Sequence, residues 1–408
     1  MGRRTKGDGS LFQRKDGMWV GRVELPPKDG KRRYKYVSSM DWAKCTAKLK
    51  KVRTDVDEGR IAVTGSTTVE RWMKRWIEDI HAPRLRPNTL LDYRAIIDNH
   101  IIPTLGKKRL DKLTPDHVRQ LHKAIGPSRT AEVAHTVLGK ALKDAIREQM
   151  ITRNVCELVD KPVYTKTKRT SLSVGIAKRI LAEAEASCDE SQATRWMAAL
   201  FTGARQGELL GLRWSHVDLD AGMMDISWQM QRLRQEHGCG EPVDGKYPCD
   251  RVRVSFCPQR RWNLPPNFEH EVCVRSHVWT RPKSEAGIRE VPLITPLWAR
   301  FSSLHANQGF NPHGLVFHEG GEPIDKRIDS RRWNELLQRA GVVEEGKTFP
   351  LHTARHTTAT LLRAAGVDEQ TRMEILGHAT VDSQRVYAHA DQQRHQVAMS
   401  TGLKELLS

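Results

Sequence analysis

One stretch near the C-terminal end limits what this chain can become: LHTARHTTATLLRAAGVDEQTRMEILGHATVDSQRVY, residues 351–387. Leu351, Ala354, Thr358, Leu361, Leu362 and Ala365 recur near helical spacing, and Gly366 supplies a C-terminal stop. His352 and Arg355, three apart, share one face of that helix. A second, shorter helix is predicted from about Asp368 to Gly377, with His378 just past its end and Tyr387 eight intervening residues later. Two imidazoles, a guanidinium and a phenol are thus gathered into a short span of tightly folded chain.

Two further motifs stand upstream in a fixed order. TGARQGELLGLRW occupies residues 202–214 and KSEAGIREVPL residues 283–293. Together with LHTARH, LGH and the following tyrosine, they resemble the signature of the tyrosine recombinases, the family that includes temperate-phage integrases. The first motif resembles the family's first arginine box and the second its lysine-bearing β-hairpin. Ala354 departs from the Leu that many members carry between the His and the Arg; the change affects packing and leaves the charges intact. The resemblance implies a mainly α fold with small β-sheets (α+β) in a three-domain architecture. It also implies a catalytic set of Arg205, Lys283, His352, Arg355, His378 and Tyr387, with Glu208 in support.

Charge fits that reading independently. The 408 residues carry a formal net charge of +18 and a pI near 9.7, which calls for a polyanionic partner, nucleic acid or an anionic membrane surface. No apolar run reaches membrane-spanning length, and MGRRTKGDGS lacks the hydrophobic segment of a signal peptide. The expectation is a cytoplasmic protein on double-stranded DNA, with no membrane partner. Seven cysteines, an odd number, do not form a secreted disulfide framework.

Read in order, residues 1–62 form a first unit of three short strands, with turns at Asp16-Gly17 and Asp29-Gly30, and a charged helix from about Thr46 to Glu58. This unit has 17 Lys and Arg against 8 Asp and Glu, a net of +9. Its aromatics interleave with basic residues, so Trp19, Arg22, Arg32, Arg33 and Lys35 are candidate DNA contacts. A solvated basic sheet around a small core is the alternative. The layout resembles the amino-terminal arm-binding domain of phage integrases, which favours DNA.

Residues 66–162 read as four helices with no catalytic constellation. Val69, Trp72, Met73, Trp76, Ile77 and Ile80 make one apolar stripe, a helix runs from Asn88 to near Pro103 and Gly106, and Thr114 caps another. This part resembles the family's core-binding domain. A linker at 164–173 carries Lys166, Lys168 and Arg169, placed to follow DNA between domains, and the catalytic domain extends over 170–408.

From about 229 to 280 the chain departs from the family pattern with an insertion of about fifty residues, by direct count between loosely spaced motifs. It holds Cys239, Cys249, Cys257 and Cys273 together with His237, His270 and His277. Four N/S ligands would suffice for a structural zinc, but no Cys-x-x-Cys pair is present. The expectation is a loosely folded insertion with free thiols and no required cofactor.

The resemblance implies phosphodiester chemistry without a divalent metal, in roles each side chain can fill: Tyr387 as the nucleophilic phenol, Arg205 and Arg355 as planar forks for phosphate oxygens, and Lys283 as proton donor to the leaving 5′ oxygen. A 3′-phosphotyrosyl bond would conserve the energy needed for religation without ATP. The family mechanism implies four protomers on DNA, with a host DNA-bending protein and an excision factor as further partners. The tail contributes Val397, Met399, Leu403, Leu406 and Leu407, enough for a helix that packs either on its own domain or on a neighbouring subunit. A chromosome-resolution recombinase, a type IB topoisomerase and a non-catalytic regulator on the same fold are the competing readings.

Overall fold

A computed structural model describes residues 10–28, 31–57, 67–165, 172–343, 349–377 and 392–407. The chain falls into two compact units, residues 1–166 with 264–266, and residues 167–263 with 267–408.

The first unit opens with strands β1 (Ser10–Gln13), β2 (Trp19–Lys28) and β3 (Lys31–Ser39), antiparallel in the order β1-β2-β3, followed by helix α1 (Trp42–Asp57). The helix begins earlier than Thr46 because the Asp41 carboxylate accepts from the Lys44 backbone N–H at 2.8 Å. α1 covers one face: a Cβ at Gly21 would lie 2.7 Å from Leu49, and the Cys45 thiol sits 3.3 Å from the Trp19 carbonyl. Side chains alternate across a strand, so Gly21, Val23 and Leu25 face the helix while Arg22 and Glu24 face away.

The helices of this unit are α2 (Val69–Arg75), α3 (Pro87–Ile96), α4 (Ile102–Leu105), α5 (Pro115–Ile125) and α6 (Arg129–Arg147). Val69, Trp72, Met73, Trp76 and Ile77 are buried as the stripe predicts, and Ile80 is half-buried. Both buried indoles satisfy their N–H, Trp72 on the Ala141 carbonyl at 3.0 Å and Trp76 on Asp144 at 2.9 Å. α3 starts at Pro87 rather than Asn88, with proline in the first turn where its missing N–H is not needed. Nor does Pro103 end the helical run. A π turn at Ile97–Ile101 precedes it, so Pro103 falls in the opening turn of α4 and the run ends at Gly106.

The second unit contains α7 (Val174–Ser187), α8 (Glu190–Thr202), α9 (Gln206–Leu210), β4 (Val217–Asp218), β5 (Met223–Ile226) and β6 (Gln229–Arg232). It continues with β7 (Gln235–Glu236), β8 (Arg261–Trp262), β9 (His270–Val274), β10 (His277–Thr280) and β11 (Arg289–Pro292). Helices α10 (Thr295–Ala306), α11 (Lys326–Arg339), α12 (His352–Ala364), α13 (Glu369–Leu376), α14 (Gln392–Gly402) and α15 (Lys404–Leu407) complete it. Nine of the 13 residues of α8 are buried, which makes it the central helix with α7, α10 and α12 packed around it.

Two expectations change here, and one open alternative is resolved. The 229–280 region is not one loose insertion: β6, β10 and β9 form a sheet whose Met230 and Trp279 are buried, with the Trp279 N–H on the Gly211 carbonyl at 2.8 Å. The excursion between β6 and β9 lies outside that sheet. Lys283 is not at the tip of a hairpin either, since β10 pairs with β6 and β9 while β11 pairs with β5 in the separate sheet β11-β5-β4. It sits exposed in the loop joining the two sheets. Finally, the tail packs on its own domain: Met399 and Leu403 are fully buried and Gly402 lies against Leu362 of α12, while Val397 stays exposed.

Candidate active site

The site is assembled from two glycine-terminated helices. α8 ends at Gly203 in the left-handed conformation (φ +60°), where a Cβ would lie 2.6 Å from Leu376 and 3.2 Å from Thr358. Only glycine allows the turn and the approach of α12 and α13 together. The Gly203 carbonyl then accepts from Arg355 Nη1 at 2.8 Å. α13 ends in the same way at Gly377 (φ +64°), whose Cβ position lies 2.8 Å from the Ala286 carbonyl oxygen.

Around this second turn three arginines converge. Arg289 Nε donates to the Ile375 carbonyl at 2.8 Å, Arg355 Nη2 to the Leu376 carbonyl, and Arg205 Nη2 to the Gly377 carbonyl at 3.1 Å. Three consecutive carbonyls at a helix C-terminus, its negative end, are therefore each held by a different cation. This fixes the backbone leading into His378.

One carboxylate organises the cations. Arg205 is the N-cap of α9 rather than a residue inside it, and Glu208 stands at the third helical position. Glu208 Oε2 accepts from the Arg205 backbone N–H at 2.8 Å and from Arg289 Nη2 at 2.9 Å, while Oε1 accepts from Arg205 Nη1 at 2.7 Å. Burial alone would raise the Glu208 carboxyl, but Arg289 and then Arg205 outweigh it and hold it at about 2. Arg355 has the opposite balance: burial, then the like charges of Arg205 and Arg289, bring its guanidinium down to about 9 despite Glu208. Its Nε is buried without a hydrogen-bond partner among the described residues. Three guanidiniums against one carboxylate leave excess positive charge in a largely dry site, and an anion with several oxygens would balance it.

His352 begins α12 and is exposed, its ring meeting that of His356 edge-on at 4.7 Å. His378, Tyr387, Lys166, Lys168 and Arg169 lie outside the described residues. Arg289 was missed from sequence although it sits inside the quoted KSEAGIREVPL motif; its role depends on a contact with Glu208, 81 positions away. Buried Arg195, ion-paired with Asp329 at 3.0 Å, was also missed. Gln206 donates to that same Asp329 at 2.7 Å, which anchors the start of α9 to α11.

In the first unit, strand register divides the DNA-contact candidates. Arg22 lies opposite Tyr36, and Arg32 ion-pairs with Glu24 at 3.7 Å, so these occupy the face away from α1. Trp19, Arg33 and Lys35 alternate onto the face α1 covers. Tyr34 and Tyr36 join the open face: Arg22 stacks over the Tyr34 ring at 4.6 Å, and Tyr36 is 57% exposed. Of the cysteine candidates, Cys239, Cys249 and Cys257 come together with His237, whereas Cys273 lies in β9 outside the group.

A mostly helical domain in which one buried carboxylate gathers arginines at a helix C-terminus defines a cationic site suited to an anion with several oxygens. Comparison with known proteins points to a family. The N-terminal SAM-like domain of phage integrases matches residues 68–125, and the phage integrase family matches residues 270–394. An integrase of Saccharopolyspora erythraea is 28% identical over 97% of this chain and 96% of its own length, and one of Streptomyces ambofaciens is 27% identical over 94% and 93%. Among solved structures, a lambda integrase tetramer bound to a Holliday junction has a TM-score of 0.53 at 16% identity, covering 95% of this chain and 99% of that one. The Tn1549 transposon integrase in complex with transposon right end DNA has a TM-score of 0.59 at 18% identity, covering 84% and 100%. These two establish likeness of fold. Residues 68–125 and 270–394 are thus phage-integrase-like, the near-full-length relatives are integrases, and together they support site-specific DNA recombination by a tyrosine recombinase. No helix among the described residues is long and apolar enough to cross a membrane.

Proposed function

We propose that this recombinase integrates, and also excises, the DNA of a phage or integrative element, and that Tyr387 is its nucleophile. The observation that carries the reading is the surplus of guanidinium charge gathered by Glu208 beside the turn that leads into His378. Tyr387 Oη attacks the scissile phosphorus, forming a 3′-phosphotyrosyl bond as the bond to the 5′ oxygen breaks. His352 receives the phenolic proton, and Lys283 protonates the departing 5′ oxygen. Arg205 and Arg355 hold the non-bridging oxygens, joined by His378, and stabilise the charge that builds on them. Attack by the 5′-hydroxyl of another strand reverses these steps, completing exchange without ATP.

The partners follow from the same reading. Core-type DNA is held by the helices of the first unit and the catalytic domain. Arm-type DNA is read by the open face of the β1-β2-β3 sheet, which presents Arg22, Arg32 and Tyr36. Lys166, Lys168 and Arg169 track the backbone between them. The active assembly is a homo-tetramer on DNA in the bacterial cytoplasm, served by a host bending protein and an excision factor. Support for a tetramer comes from the lambda integrase relative, which is described in that state.

The test is incubation with element DNA, followed by sequencing of the covalently trapped ends, alongside Tyr387→Phe. The variant should bind DNA as the wild type does and form no adduct. A DNA-linked product from Tyr387→Phe would remove Tyr387 from the nucleophile role.

A further inference from the structure

The excursion between β6 and β9 has almost nothing apolar to hold it. Its paired strands, β7 and β8, are two residues each, and Val243, Val252 and Phe256 are exposed. From residue 234 to 269 the buried side chains are His237 and Cys257. Something other than a hydrophobic core must fix this segment.

What lies at its centre is a cluster of soft ligands. His237 and Cys239 leave the end of β7, Cys257 leads into β8, and Cys249 arrives from the turn between them. The four ligand atoms, one imidazole nitrogen and three sulfurs, all lie within 4.8 Å of one another. His237 Nδ1 is 3.5 Å from Cys249 Sγ and 3.8 Å from Cys239 Sγ. Bond lengths of about 2.0 Å for Zn–N and about 2.3 Å for Zn–S place tetrahedral N···S edges at about 3.5 Å. The His237 ring is held in orientation by Tyr247, stacked on it at 3.6 Å and 8°. Its Nε2 is buried without a partner among the described residues, so the polar contacts of the ring all run through Nδ1 toward the sulfurs.

We propose that His237, Cys239, Cys249 and Cys257 bind one structural zinc ion that staples the excursion. Three thiolates and an imidazole form a closed ligand set, which leaves no open position for substrate and so suits a structural rather than a catalytic ion. Zinc binding releases the thiol protons and cross-links three separate points of the loop, supplying the order that the missing apolar core does not. Of the cysteines and histidines the sequence offers here, His237 joins Cys239, Cys249 and Cys257, while Cys273 belongs to a strand of the domain sheet. The spacing His-x-Cys, then Cys, then Cys gave no paired Cys-x-x-Cys signal from which to find it.

The experiment uses the full chain purified under reducing conditions. Elemental analysis should find about one zinc per chain. Alkylation mapped by mass spectrometry should find Cys239, Cys249 and Cys257 at least about tenfold less reactive than Cys188, until a chelator removes the metal and exposes all three together. Replacement by cobalt should produce thiolate-to-metal charge-transfer bands and the ligand-field bands of a tetrahedral ion. Cys249→Ser and Cys257→Ser should lose the zinc, and Cys273→Ser should keep it. If a serine variant does not fold, the joint exposure of the three wild-type thiols on zinc release remains the deciding measurement. Metal-free wild-type protein with all thiols reactive, a disulfide within the trio, or full zinc in Cys257→Ser would each overturn the assignment.

Discussion

Arg289 and Glu208 form an ion pair at 2.9 Å with side chains only 6% and 1% exposed. A buried pair of this kind survives because every remaining polar atom is used. Glu208 gives its other oxygen to Arg205, and Arg289 gives its other donors to the Ile375 and Gly287 carbonyls. The pair therefore ties β11 to α9 and to the end of α13. Glu208 makes a capping contact with Arg205 and also holds Arg289, so one carboxylate fixes two of the three cations that converge on the end of α13.

Glu208→Gln should show this in its pH dependence. The folded carboxyl is held at about 2, below its ordinary value of 4.5, so its stabilisation is fully present above about pH 5 and is lost as pH falls toward 2. The wild type should exceed the variant by roughly 3 kcal/mol at pH 7, and the gap should narrow steadily below pH 4.5. Thermal unfolding of both proteins across that range is the measurement. A gap independent of pH would mean that the variant loses shape rather than charge.

Arg289 positions other groups and does not itself reach the phosphate in the proposed mechanism. Arg289→Ala strands Glu208 and should cost about 3–5 kcal/mol of stability. Arg289→Lys keeps the charge but cannot serve Glu208, Ile375 and Gly287 together. At a temperature where it is fully folded, single-turnover cleavage should fall about 10²-fold while core-site affinity changes less than about threefold. Cleavage at the wild-type rate would reduce Arg289 to a structural residue.

How far the sequence reached depended on the range of each contact. Gly203, Gly377 and Asp368 announce their turns and caps locally, so the bounds of α8 and α13 were legible. The pairing of β11 with β5 was not, because it joins Arg289 to Ile226 across 63 positions and separates Lys283 from the expected hairpin. Distance hid the His237 cluster as well. In the first unit, composition revealed a basic sheet, but only the Arg22 to Tyr36 register reveals which basic residues share a face.

That register makes a prediction for the arm. Deleting residues 1–62 removes a net charge of +9 and should spare cleavage of a core-site suicide substrate while abolishing binding to a distal site. Arg22→Ala should weaken distal binding about tenfold and reduce the salt slope by about 1. Lys35→Ala, on the α1 side of the sheet, should do much less. Distal affinity that survives the deletion would make the sheet merely structural.

Leu403 is fully buried against the catalytic core, and Gly402 beside it touches Leu362. Leu403→Ala should therefore cost about 2–5 kcal/mol in the isolated protein, without DNA or a second protomer present. Unfolding midpoints at two protein concentrations would check it. A tail that docks mainly on a neighbour would instead show little loss in the dilute protein.

Metal dependence separates the chemistry from the scaffold. The transition-state charge is assigned to Arg205 and Arg355 and the leaving-group proton to Lys283, and none of these roles uses a divalent ion. Magnesium should therefore be dispensable for a single strand-cleavage step. Prolonged chelation is a different treatment, because it removes zinc from His237, Cys239, Cys249 and Cys257 and loosens the segment between β6 and β9. Brief EDTA exposure should leave cleavage and religation intact, whereas exhaustive chelation should lower them as the three thiols become reactive. Zinc added back should restore both the thiol protection and the rate, and magnesium should restore neither. The rate of strand cleavage, followed beside thiol alkylation on the same samples, checks both parts. Strict dependence of the single cleavage step on magnesium would sink the arginine-based mechanism, even with the zinc site fully loaded.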